Sequence, residues 1–234
     1  MITVEDLIAS RLAPEALDDK AHLLSQLGEK LLQQGSARGV TAFKTAEAIK
    51  TELLLDSLGG VLSLPREPGA RVIDIGTGGG VPGLVLAVVR PDLRFVLTDS
   101  AKKKTAWVGE CVDELKLPNV EVVTSRLELL GRDEKFRETF DAVTAKALAA
   151  LAVLLEFSIP LLKVGGKLIA YKGPALDDEI VEARQALRLL GAKVVRKRAY
   201  DLEGKSHRIA EIEKLKMTAA RYPRRDGVPQ KTPL

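Results

Sequence analysis

The part of this chain best suited to chemistry is an apolar run that ends in an acid and then breaks into glycines, Val72-Ile-Asp74-Ile-Gly76-Thr-Gly78-Gly-Gly80-Val81-Pro-Gly83. Glycine lets the backbone turn tightly and lets a ligand approach where a Cβ would otherwise stand. A helix opening after the glycines offers unpaired N–H groups, an arrangement that many nucleotide-type cofactors exploit. Two cofactors compete for this signal. Gly78-Gly-Gly80-Val-Pro-Gly83 fits the dinucleotide spacing GxGxxG, which is weak on its own. Asp74 argues for the other. A carboxylate two residues before Gly76 is awkward beside a pyrophosphate, but it suits the cationic amino-acid end of S-adenosylmethionine, directly or through water.

The pattern Asp74-x-Gly76-x-Gly78-x-Gly80 is the form seen in class I methyltransferases. A second acid, Asp99, followed by Ser100, closes the next apolar run. A carboxylate at such a strand tip can accept hydrogen bonds from both ribose hydroxyls, in either kind of cofactor. A third run closes at Ser125-Arg126-Leu127-Glu128, and Leu127 and Glu128 are then candidates to border the adenine. The lone thiol, Cys111, lies mid-helix and reads as an ordinary packed cysteine. With one cysteine, and His22 and His207 far apart, no metal site is expected. Trp107 is read as a core residue rather than a base-stacking platform.

The elements that must position these groups alternate. Strands are predicted over 71–75, 93–98, 120–124, 141–144, 167–172, 193–198 and 208–214. Helices are predicted over 83–89, 102–115, 148–162 and 178–190. This alternation implies βαβ units and a mostly parallel, doubly wound α/β sheet. The last two strands, with no helix between them, suggest an antiparallel edge hairpin. Before Pro65-Arg-Glu-Pro-Gly69, a linker by composition, the chain reads as helical. Leu17, Ala21, Leu24, Leu27 and Leu31 recur at helical spacing, and a second helix is predicted over 46–64. The expected organisation is a helical cap over 1–64, a Rossmann-like cofactor domain over 65–220 and a basic tail over 221–234.

The 234 residues are 46% hydrophobic, enough for one large core, with a net charge of +4. A mildly basic chain permits an acidic partner without demanding one. The basic residues cluster in Lys102-Lys103-Lys104, in Arg196-Lys197-Arg198 and in the tail, where Arg221, Arg224, Arg225 and Lys231 face a single acid, Asp226. The tail is expected to run extended, as a strap onto phosphates. The single cysteine fits a reducing compartment. The N-terminus lacks the basic and apolar blocks of a signal peptide, and no apolar run is long enough to span a membrane. A cytoplasmic, monomeric enzyme is the expectation.

Several segments together carry a family resemblance: Asp74 to Gly83, Asp99-Ser100 with Lys103-Lys104, Ser125-Arg126-Leu-Glu128, Lys146-Ala147, Tyr171-Lys172-Gly173, Leu55-Asp56-Ser57-Leu58, and Arg221-Tyr-Pro-Arg-Arg-x-Gly227-x-Pro229-x-Lys231-x-Pro-Leu234. From about residue 40 onward the chain resembles the RsmG (GidB) family, whose members methylate a guanine N7 in small-subunit ribosomal RNA. The resemblance implies S-adenosyl-L-methionine as cofactor and 16S ribosomal RNA, or a small-subunit particle, as partner. It implies cofactor contacts at Gly76, Val81, Leu127, Glu128 and Lys146, with Asp99 and Ser100 at the ribose. It implies RNA contacts at Lys103, Arg126, Lys146 and Lys172. Three positions depart from the usual family pattern. Gly39-Val40-Thr41 stands for Asn-Leu-Thr, Leu53 for a histidine, and Lys146 for an arginine. Competing readings are a methyltransferase for a small molecule or protein, a non-catalytic RNA-binding module on the same fold, and a dehydrogenase.

Guanine N7 carries a lone pair and no proton. Its methylation therefore needs alignment and exclusion of water rather than a general base. No catalytic acid, base or nucleophile is assigned.

Overall fold

The computed structural model describes residues 15–234. Among the described residues, two helical elements precede the sheet. The first, α1 (Glu15–Lys30), continues into a π-helical turn, Leu31–Gly35. The second, α2, spans 46–58 and is π-wound over Ile49–Leu55. It stops at Gly59-Gly60, and a 3₁₀ turn at Val61–Ser63 follows, so it ends earlier than the predicted boundary at 64.

Seven strands form one sheet in the order β3-β2-β1-β4-β5-β7-β6. They are β1 (Arg71–Ile75), β2 (Arg94–Asp99), β3 (Val120–Thr124), β4 (Phe140–Lys146), β5 (Leu162–Lys172), β6 (Ala192–Leu202) and β7 (Lys205–Lys214). β1 to β5 are parallel. β7 inserts antiparallel between β5 and β6, as the predicted edge hairpin. The hairpin turns on Glu203-Gly204, both at positive φ (52° and 80°), as the tight two-residue connections of twisted hairpins require.

Helices cover both faces. They are α3 (Gly83–Val89), α4 (Lys102–Glu114), α5 (Leu127–Leu130), α6 (Leu151–Ser158), α7 (Leu176–Glu182), α8 (Arg184–Leu190) and α9 (Val228–Lys231). Every residue of α3 is buried. Its sequence, Gly-Leu-Val-Leu-Ala-Val-Val, is apolar all round, and such a helix must be covered on every side. The sheet covers one side; Leu27, Leu31, Ile49 and Leu58 of the leading helices share the core on the other. Cys111 and Trp107 belong to the same core, as the sequence suggested, and the indole N–H donates to the Gly79 carbonyl at 3.2 Å. Burial pushes the Cys111 thiol up to about 12, so no thiolate is available there.

Some boundaries differ from expectation for identifiable reasons. The helix predicted over 148–162 is α6 alone, followed by a 3₁₀ turn through Pro160, which lacks the N–H a continuing helix needs. It begins only at Leu151, whose N–H is taken by the Glu179 carboxylate at 2.8 Å, after Ala147 has turned to φ 53°. The helix predicted over 178–190 breaks into α7 and α8 at the buried Ala183. The tail is not extended. It folds back, buries Tyr222 and ends in the short helix α9. Among the described residues, no helix is long and apolar enough to cross a membrane.

Candidate functional site

The strand order reverses between β1 and β4. In open α/β sheets this switch point opens a crevice beyond the carboxyl ends of the strands. The glycine loop stands there. Gly76 and Gly78 take φ of 66° and 55°, and the Val81–Pro82 peptide is cis. A Cβ on Gly76 would lie 2.5 Å from Leu148 Cδ1, whereas one on Gly78 would meet nothing nearer than the Gly76 carbonyl at 3.9 Å. The loop is thus tight against β4's exit on one side and open on the other, which is the cradle a nucleoside needs.

Register brings the strand-tip residues together. Asp99 ends β2 beside Thr124 of β3, and the N–H of Ser125 donates to the Asp99 carbonyl at 3.2 Å. The Asp99 carboxylate accepts from Gly78 N–H (3.1 Å) and Ala101 N–H (2.9 Å), with Lys104 Nζ at 3.7 Å. A carboxylate has about four lone-pair directions, so Asp99 keeps capacity for ribose hydroxyls while bracing the loop. Ser100 is exposed beside it, and Leu127 and Glu128 open α5 just past β3.

Asp74 has a structural task at the loop. Its side chain is wholly buried beneath the loop rather than in the crevice. One oxygen accepts from Thr144 Oγ1 at 2.7 Å and the other from Gly83 N–H at 3.2 Å. Asp74 therefore ties β1, β4 and the start of α3 to each other. Burial pushes its pKa up to about 6, against the pull of these hydrogen bonds.

Next to the loop, Leu148 also lines a cleft of about 550 Å³ at the carboxyl ends of β4 and β5. Lys146 and Lys172 lie on its wall, as does a cluster that sequence reading missed. Asp56, from α2, accepts from Lys146 Nζ (2.7 Å) and Tyr200 Oη (2.6 Å), and His207 Nδ1 is 3.0 Å away. Lys146 also donates to the Glu52 carbonyl at 2.8 Å, and Glu52 pairs with Lys205. Lys172 donates to the Ala149 carbonyl (2.8 Å) and to Glu179 (2.6 Å), so it fixes the loop after β4. The cluster joins residues about 150 positions apart, and no local spacing announces it.

Burial raises the Asp56 pKa, but hydrogen bonds from His207, then the charge and hydrogen bond of Lys146, and Tyr200 outweigh it and hold the carboxyl below its usual value. The hydrogen bond to Asp56 in turn raises His207. The raised histidine contributes stability that is complete below its unfolded pKa and is lost as pH rises through the folded one. The lowered aspartate contributes stability above its unfolded pKa that is lost as pH falls through the folded one. Both contributions are present between roughly pH 4 and 6.5. We therefore expect His207→Gln to cost more stability near pH 5.5 than at pH 8.5. Urea unfolding of both proteins at the two pH values checks this, and an equal or larger loss at pH 8.5 would contradict it.

The remaining basic candidates divide. Lys103, Arg126, Arg221 and Arg225 are exposed, Arg126 with Asp226 at 3.7 Å. Arg224, expected at the RNA, turns inward instead. Its guanidinium grips Glu156, which is fully buried in α6, at 2.6 to 3.1 Å.

The family model for GidB, described as rRNA small subunit methyltransferase G, matches residues 20–207. This chain belongs to that family. Relatives named ribosomal RNA small subunit methyltransferase G include one from Roseiflexus castenholzii, 42% identical over 196 residues and covering 83% of each chain. Another, from Desulfitobacterium hafniense, is 37% identical over 230 residues, covering 97% of this chain and 95% of the relative. Among solved structures, a SAM-dependent methyltransferase from Aquifex aeolicus aligns with a TM-score of 0.52 at 21% identity, over 70% of this chain and 93% of its own. The [4+2]-cyclase SpnF aligns with a TM-score of 0.54 at 15% identity, over 69% and 81%. These likenesses show the class I, Rossmann-like fold. A cyclase among them is a reminder that the fold alone does not fix the reaction.

Three departures from the usual pattern of the GidB family acquire a setting. Leu53 is packed in the core of α2, so that position serves packing here. Lys146 meets Asp56 through a single ammonium group, where an arginine would offer a planar two-pronged fork. Val40 lies against the glycine loop, its carbonyl 2.9 Å from where a Cβ on Gly79 would stand.

Proposed function

We propose that this protein is an S-adenosyl-L-methionine-dependent methyltransferase acting on N7 of a guanine in small-subunit (16S) ribosomal RNA. Family membership supports the RNA substrate. The observation that carries the chemistry is the adjacency of two features on either side of Leu148: an open glycine loop braced by Asp99, and a cleft lined by Lys146 and Lys172.

The cofactor, when bound, supplies an electrophilic methyl group on a sulfonium. In this reading Gly76, Gly78 and Val81 hold its backbone-facing side, Asp99 and Ser100 the ribose, and Leu127 and Glu128 the adenine. Asp74 supports the loop from below. The cleft takes the target base. Lys146 and Lys172 shape its wall, and the exposed Lys103, Arg126, Arg221 and Arg225 hold phosphates, which set register without reading sequence. N7 attacks with its own lone pair, so the chain's task is to align two reactants and keep water out. No side chain has to move a proton.

Tritium transfer from labelled S-adenosylmethionine to RNA from cells lacking this protein, followed by mapping of the modified base, tests the proposal. Label confined to protein or small molecules would overturn the substrate, and label on another atom would overturn the N7 assignment. In the same assay Lys172→Ala is expected to lower RNA methylation about tenfold, because the loop after β4 loses its tether, a loss of roughly 1.5 kcal/mol for a hydrogen bond to a charged group. Affinity for S-adenosylhomocysteine should stay within about twofold of wild type. If that affinity collapsed instead, Lys172 would belong to the cofactor side.

A further inference from the structure

The short helix α5 carries Leu127 and Glu128, and the C-terminal tail packs along its outer side. Glu128 is 4% exposed, and its Oε1 accepts the backbone N–H of Gly227 at 2.8 Å. The Pro223 ring fills the space beside Gly131, where a Cβ would come within 2.8 Å of it. Arg132 donates twice to the Pro223 carbonyl, at 3.1 and 2.9 Å. Arg137 ties the Gly131 carbonyl (2.6 Å) to the Tyr222 carbonyl (2.8 Å). Asp226 faces Arg126, the residue that precedes α5. The grip of Arg224 on Glu156 anchors the tail to α6. The tail's inner side thus engages the segment that follows β3 at residue after residue. Its outer side presents Arg221, Arg225 and Lys231 to solvent.

We propose that the C-terminal tail is a positioning element of the cofactor site, in which the Gly227 N–H holds the Glu128 carboxylate where it borders the adenine. The inference rests on the assignment of Glu128 under Proposed function. The chemistry is direct. With Oε1 committed to Gly227, the carboxylate is held in one orientation, and its second oxygen is left to accept from a donor such as an adenine amino group. Gly227 presents its N–H from φ 73°, a left-handed conformation that a β-branched residue resists and asparagine tolerates. Nothing lies within 4 Å of the position its Cβ would take, so substitution there acts through the backbone rather than through a clash.

Three variants of the full protein test this: Gly227→Val, Gly227→Asn and deletion of residues 226–234. For each, calorimetry gives the dissociation constant for S-adenosylhomocysteine and thermal melting gives the stability without ligand. Steady-state assays give KM for S-adenosylmethionine and for RNA separately. Gly227→Val and the deletion are expected to weaken S-adenosylhomocysteine about tenfold, the loss of one hydrogen bond to a charged group. Gly227→Val and the deletion should also lower the melting temperature of the ligand-free protein, because the mostly buried Glu128 loses a partner, so affinity is read well below every melting point, and Gly227→Asn should bind within about threefold of wild type. Unchanged affinity with a raised KM for RNA would overturn the proposal and make the tail an RNA strap only. Equal losses of affinity and melting temperature in the Val and Asn variants would overturn it in favour of a purely structural role. Failure of the wild-type protein to bind S-adenosylhomocysteine would remove the cofactor reading itself, and the proposal with it.

Discussion

Gly76→Val is expected to weaken binding of S-adenosylhomocysteine by about 100-fold or more. Two costs add at this position. Gly76 takes φ 66°, where a residue with a Cβ loses roughly 1–2 kcal/mol and a β-branched one more. The new Cβ would also stand 2.5 Å from Leu148 Cδ1, so Leu148 must be displaced, and with it the wall between cradle and cleft. Together these amount to about 3 kcal/mol, or roughly two factors of ten in affinity. Calorimetry against the wild type measures it, with circular dichroism to confirm the fold. Affinity within a few-fold of wild type would mean that the glycine loop does not hold the nucleoside.

Arg224→Ala is expected to lower stability by about 3 kcal/mol, since it leaves the buried carboxylate of Glu156 with the backbone N–H of residue 224 (2.7 Å) but no opposite charge. For a chain of this size that corresponds to a fall in melting temperature on the order of 10 °C. Removing both charges, as in Glu156→Leu with Arg224→Leu, should recover much of the loss, because the penalty belongs to the unpaired charge and not to the pair. Scanning calorimetry of the single and double variants decides. A single variant melting within about 2 °C of wild type would show that Glu156 does not depend on the Arg224 guanidinium. The expectation from sequence gave Arg224 to RNA; in the folded chain its guanidinium is already committed.

The contrast between these two positions shows what the sequence could and could not reveal. The glycine loop was readable because its logic is local. A short apolar strand, an acid, spaced glycines and an apolar helix follow one another between Arg71 and Val89, and β1 and α3 appear at the predicted bounds. The places of Asp99 and of Leu127-Glu128 at or just past strand ends were legible for the same reason, though the helix α5 that opens there was not. The Asp56 cluster was not, because Asp56, Lys146, Tyr200 and His207 come together only through the sheet order and the edge hairpin. The hydrogen bonds of Asp74 to Thr144 and Gly83 were not legible either. Spacing puts it at the strand end and cannot say which face of the loop it meets. The inward turn of the tail had one overlooked sign. A lone glutamate inside Leu151-Ala-Val-Leu-Leu-Glu156-Phe-Ser-Ile implies a buried charge, and a buried charge requires a partner from elsewhere in the chain.

A helix with no wet side has a further consequence. Because α3 is enclosed by the sheet beneath and by α1 and α2 above, the leading helices act as its roof. A shortened protein starting at Pro65 would turn a greasy seven-residue rod toward water directly behind the glycines, and such a surface drives self-association before any nucleoside can bind. The smallest workable version of this catalyst therefore includes its helical beginning, even though the glycine loop and the strand-tip acids all lie downstream of it.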